Sequence, residues 1–96
     1  MMEDLTAFQR DLLYVIAGMD EPKGLGVSEE LQRAYDGDIN HGRLYPNLDT
    51  LVENGLVEKG AQSDVTNFYT VTERGEAAIA ARHAWERQYV DHPADD

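Results

Sequence analysis

The chain has 96 residues, with 19 acidic against 8 basic side chains, a formal net charge of -11 at pH 7 and no cysteine. One small core fits that length, with so little surplus stability that a partner subunit is expected. The composition excludes a disulfide framework, a thiol switch and a cysteine-ligated metal; with no apolar run long enough to span a bilayer and no basic-then-apolar leader, a cytoplasmic protein without membrane contact is expected.

Residues 6–19, TAFQRDLLYVIAGM, place Phe8, Leu12, Val15, Ile16 and Met19 on one helical face, and Thr6 with Gln9 forms a capping box. After a loop with Pro22, Gly24 and Gly26, Ser28 is read as the cap of a short second helix. Glu29 and Glu30 then sit at its positive end, Leu31, Ala34 and Tyr35 form its apolar side, and Gly37 is its left-handed stop. A third helix covers most of 40–54, with Leu44, Leu48, Leu51 and Val52 on one face and Asn54 and Gly55 ending it. LVEK at 56–59 and NFYTV at 67–71 read as strands joined by the polar loop GAQSDVT. Thr72 caps an alanine-rich helix within 72–90, and DHPADD at 91–96 is expected to be a disordered tail. The result is one domain over 1–90, α+β and mostly α. The order of elements is that of a winged helix-turn-helix: three helices, a two-stranded β wing and a C-terminal dimerisation helix. Other small α+β domains share that order.

The third helix separates its charges along its length. Opposite the leucines lie Gly42, Arg43, Pro46, Asp49, Thr50 and Glu53, with Tyr45 and Asn47 on the flanks, and no acid occurs between Asn40 and Leu48. A helix that enters a DNA groove by its N-terminal end wants donors at its tip and carboxylates behind. Asn40, His41, Arg43, Tyr45, Asn47 and Thr50 are the candidate donors. Gly42 leaves space for a phosphate or a base edge and relieves the crowding caused by Pro46, which cannot donate to the Gly42 carbonyl. A core Tyr45 and a solvated Arg43 account for the pattern equally well.

Beyond that pattern, GRLYPNLDTLVENGLVEKG followed by NFYTVTERG resembles the PadR family of transcription regulators, through Leu44, Tyr45, Pro46, Leu48, Leu51, Gly55, Leu56 and Val57. The similarity runs from about Leu5 to Gly75. It implies a winged-helix homodimer that binds double-stranded DNA through the motif helix and the wing, with a helical C-terminal dimerisation element. Together with the acidic composition it implies a halophilic archaeal regulator, some of which respond to oxidative stress. The chain departs from the pattern in having one short terminal helix where a longer helical domain is the rule.

In the wing, Lys59, Gln62, Ser63, Thr66 and Asn67 are candidate phosphate contacts, accompanied by one acid, Asp64. Mostly neutral donors suit a solvent rich in salt, where screening acts over about 3 Å at 1 M and counterion release has lost its advantage; salt ions are expected at the DNA interface. An ordinary solvated loop reads almost as well. In the last helix Ala78, Ala81, Trp85 and Tyr89 form a narrow stripe that is read as a dimer seam, joined by Phe8 and Leu12, with packing on the chain's own core as the alternative. His41, His83 and His92 lack ligand spacing and no catalytic motif occurs, so no metal, cofactor or enzymatic activity is expected. A small-molecule effector is compatible with this reading but has no signature. The rival function is an acidic winged-helix module that docks a basic protein or mimics DNA.

Overall fold

The computed structural model describes residues 2–61 and 66–90. After a single 3-10 turn at Met2–Asp4 come helices α1 (Ala7–Gly18), α2 (Gly24–Gln32) and α3 (His41–Glu53). Strands β1 (Val57–Ala61) and β2 (Asn67–Val71) follow, and then helix α4 (Glu73–Arg87). The capping box predicted at the start of α1 is present: the Thr6 N–H donates to Gln9 Oε1 (3.1 Å) and the Gln9 N–H to Thr6 Oγ1 (3.2 Å). At the end of α3 the Gly55 N–H donates to the Val52 carbonyl and the Leu56 N–H to the Leu51 carbonyl, with Gly55 at φ 74°. This is a Schellman ending, and it turns the chain directly into the wing.

The second helix differs from its prediction. It starts at Gly24, with Lys23 at the cap position, so Ser28 is a buried interior residue whose hydroxyl accepts from Gln32 Nε2 (3.3 Å). The burial pattern explains the shift, since Gly24, Val27, Ser28 and Leu31 lie on one helical face and only a helix begun five residues earlier buries them all. Glu29 and Glu30 therefore sit in its second half, where Glu30 pairs with Arg33 (3.4 Å), and the left-handed Gly37 (φ 98°) lies beyond the helix in the following turn.

Leu12, Leu13 and Ile16 of α1, Val27 and Leu31 of α2, and Leu44, Leu48 and Leu51 of α3 meet Leu56, Val57 and Tyr69 in one core. Each such side chain contributes roughly 1.5–3 kcal/mol by leaving water. The strands pair antiparallel from Val57↔Val71 to Ala61↔Asn67, so that β1 starts one residue and ends two residues nearer the wing tip than 56–59. Gly60 permits this, because a Cβ there would stand 2.6 Å from Phe68 Cζ. The segment before α2 adds to the sheet: the Tyr69 N–H donates to the Pro22 carbonyl (2.9 Å), and Lys23 bridges Phe68. Glu21, at φ 44°, is the one non-glycine residue with positive φ among the described residues, and it turns the chain into that bridge.

α4 is anchored at its beginning. Thr72 Oγ1 accepts from the Gly75 N–H (3.0 Å) and donates to the Gly55 carbonyl (2.6 Å), while the Thr72 N–H donates to the Leu56 carbonyl. A Cβ on Gly75 would stand 2.2 Å from the Leu56 carbonyl oxygen, so only glycine lets the helix lie this close to the wing.

Candidate nucleic-acid interface

The N-terminal half of α3 is a surface, as its charge pattern requires. His41, Gly42, Arg43 and Pro46 are exposed, and Tyr45 is 38% exposed. Asn40 caps the helix: its Oδ1 accepts from the Gly42 N–H (2.6 Å), and its carbonyl accepts from the N–H groups of Arg43 (3.0 Å) and Leu44 (2.9 Å). A Cβ at Gly42 would lie 2.9 Å from Asn40 Oδ1. The space left by Gly42 is thus used by the cap, a constraint absent from the sequence-based account.

Pro46 has no N–H for the Gly42 carbonyl, and side chains bind the carbonyls around it. Asn47 Nδ2 donates to the Arg43 carbonyl (2.7 Å) and Thr50 Oγ1 to the Pro46 carbonyl (3.1 Å). Asn47 Oδ1 also accepts from Gln9 Nε2 (2.9 Å), which fastens α3 to α1. Two of the predicted donors, Asn47 and Thr50, are therefore bonded within the chain. Their spacing from Arg43 and Pro46 carried that information, because a side chain bonding to the carbonyl four residues back is a common helical competitor.

Arg43 lies with its guanidinium 3.9 Å above the Phe8 ring. Phe8 in turn meets Tyr35 edge-on, with centroids 6.0 Å apart, and the Tyr35 hydroxyl donates to Asp11 Oδ2 (2.5 Å). Burial, then the bond to the Asp11 carboxylate, pushes the Tyr35 phenol above its ordinary range. Tyr45 stands edge-on to His41 (5.9 Å) and lies over the start of α2, where a Cβ on Gly24 would be 2.7 Å from its Cε1.

Beside Tyr45 runs a groove of about 340 Å³, lined by Lys23, Gly24, Leu25, Tyr45, Lys59, Thr66, Asn67 and Tyr69. Lys23 and Lys59 are the chain's two lysines, and among the described residues no carboxylate lines this groove. Asp49 is near, with its Oδ1 3.8 Å from Lys59 Nζ across an exposed pair. The structure brings Lys59, Thr66 and Asn67 of the wing together with Tyr45; Gln62 and Ser63 lie outside the described residues. Lys23 and Gly24 were read only as loop. Their signal was the scarcity of lysine, which makes the position of each one informative.

The predicted seam separates into two parts. Phe8, Leu12 and Ala78 are buried in the chain's own core, the alternative reading of the stripe, with α1 packed on α2 and α3. Ala81 is exposed, Trp85 is 48% exposed and Tyr89 69%, with exposed Val90 beyond them. Trp85 and Tyr89 meet edge-on (5.2 Å), and the Arg82 guanidinium covers the Trp85 ring at 4.4 Å while pairing with Glu86 (3.6 Å). A shallow apolar cleft of about 470 Å³ continues this surface past Ala77 and Ala81 to Met2. Among the described residues no group of histidines and carboxylates could hold a metal ion, and no helix is long and apolar enough to cross a membrane.

Three packed helices, a two-stranded ribbon returning beside the third, and a fourth helix leading away define a winged helix-turn-helix protein. More narrowly, the chain belongs to the transcriptional regulator PadR-like family, whose profile matches residues 12–81. The structure is similar to RosR of Halobacterium salinarum grown from NaBr, at 41% identity over 96% of this chain and 84% of that one, with a TM-score of 0.86. It is likewise similar to a complex structure of hsRosR-S1, at 43% identity, 97% and 82% coverage and a TM-score of 0.87. Bacillus subtilis PadR in complex with operator DNA shares the fold, at 18% identity, 92% and 52% coverage and a TM-score of 0.65. Among curated proteins none matches.

Proposed function

We propose that this PadR-like regulator binds double-stranded DNA sequence-specifically as a homodimer. The N-terminal half of α3 enters the major groove, and Lys59, Thr66 and Asn67 of the wing meet the backbone. Two copies joined along the exposed part of α4 read half-sites about one helical turn, roughly 34 Å, apart. The observation that carries this reading is the exposure of an acid-free stretch, Asn40 to Leu48, on a molecule of net charge -11. That stretch brings no carboxylate of its own to a phosphate. The RosR and PadR likenesses agree with that reading, and the acidic remainder of the surface fits work at high salt.

Selection of bound duplexes from a random library in multimolar potassium chloride tests the proposal. A shared motif with two related half-sites supports it. Recovery of no motif, with retention of the protein on an immobilised basic protein, favours the docking or DNA-mimic alternative. Because the surface is acidic, affinity is expected to change little or to rise with salt; a steep fall of the kind counterion release produces refutes the high-salt part.

A further inference from the structure

The contact between Arg43 and Phe8 joins an exposed residue to a buried one, and it restricts what the arginine can do. A surface arginine ordinarily samples many rotamers, and whatever it binds must offset that lost freedom. Here the guanidinium carbon is held over an aromatic ring, 3.9 Å from its centroid. That ring cannot easily move: Phe8 is 5% exposed, and it is fixed edge-on by Tyr35, whose hydroxyl is tied to Asp11. On the far side, the bond from Gln9 to Asn47 holds α3 in register with α1, one residue along from Phe8. One side of the Arg43 guanidinium is thus covered by Phe8. Among the described residues its N–H groups form no hydrogen bond or ion pair, so the donor edge is left for a ligand. Two parallel donors in one plane match the O6 and N7 acceptors of guanine in the major groove.

We infer that Phe8 is a positioning residue for sequence specificity: its ring presents the edge of Arg43 to a guanine in each half-site. The inference rests on the proposed DNA binding and names the base read and the residue that sets up the reading. It also gives a reason for an aromatic side chain at a core position where leucine would fill similar space.

The test uses the full chain and duplexes obtained by the selection above. Each guanine is replaced in turn by 7-deazaguanine, which removes N7 and leaves base pairing intact. One position per half-site is expected to weaken wild-type binding by roughly tenfold. Both Arg43→Ala and Phe8→Leu are expected to lose that sensitivity at the same position while remaining sensitive elsewhere. Retention of the full wild-type penalty at that position by a folded Phe8→Leu variant overturns the inference and leaves DNA binding standing. Failure to select any duplex removes the reading beneath it as well. Side-chain 15Nε relaxation on the wild type is independent of how the variant folds. Arg43 is expected to be more ordered than Arg33, whose side chain is 78% exposed, and equal disorder of the two contradicts a fixed platform.

Discussion

The first half of α3 and the second half of α4 are both exposed, yet they are built differently. Around α3 the surface is finished: a capped start, carbonyls bonded by Asn47 and Thr50, Arg43 laid on Phe8, and Tyr45 resting over Gly24. Around the end of α4, among the described residues, Trp85 and Tyr89 meet each other and Arg82, and an apolar cleft runs beside them. A polar surface with fixed donors is ready for a ligand that supplies acceptors. An apolar surface of large aromatic side chains is incomplete until another apolar surface covers it. The proposed function accordingly gives the two exposures different partners, a nucleic acid at one end and a second copy at the other.

Trp85→Glu is the most severe way to break this contrast. It places a charge in the proposed seam while touching little of the monomer. The variant is expected to sediment as a monomer and to lose at least about 2 kcal/mol of operator affinity, as loss of a central interface aromatic does. Sedimentation identical to wild type would remove α4 from the interface. Next in size, Arg43→Ala is expected to weaken specific binding by roughly 1–3 kcal/mol while leaving sedimentation unchanged. Equal affinity of this variant and wild type for a selected operator would show that the finished surface is not the reading surface.

The sequence made these two regions legible to different degrees, for physical reasons. The helical period, the Thr6–Gln9 box, the end of α3 at Gly55 and the Thr72 cap are local signals, and each was placed correctly. Ser28 was misplaced because its strong capping preference competed with the gain from burying Val27 on the same face as Leu31, and tertiary burial won. The burial of Phe8 and Leu12 in the chain's own core shows the same limit: periodicity identifies an apolar face but not what covers it. The groove formed by Lys23, Tyr45 and Lys59 depends on a bridge between residues 23 and 68, a long-range pairing that no local pattern encodes.

A smaller effect separates the cap from the contacts it supports. Asn40→Ala removes the acceptor for the Gly42 N–H and is expected to cost about 1 kcal/mol of stability in a denaturant titration. Operator affinity should fall by a similar amount or less, because the helix end loosens while Arg43 stays on Phe8. A loss exceeding that of Arg43→Ala would mean that Asn40 itself contacts DNA.

The mildest test compares the tyrosines beneath the two regions at high pH. Burial raises the Tyr69 phenol, with Asp49 and then Tyr45 adding to the shift, and burial followed by Glu86 raises Tyr14 near α4. In both cases the fold favours the neutral phenol over the phenolate, and both values lie above the ordinary 10.0. This contribution is fully present below pH 10 and is lost as pH climbs through the folded-state value, because the unfolded chain ionises first. Tyr69 is 1% exposed and Tyr14 37%, so water screens the second far more. Tyr69→Phe is therefore expected to flatten the alkaline decline in melting temperature visibly, and Tyr14→Phe only slightly. A larger effect at Tyr14 would mean that the α4 side is covered by something other than water, which is what a partner subunit over Trp85 would do.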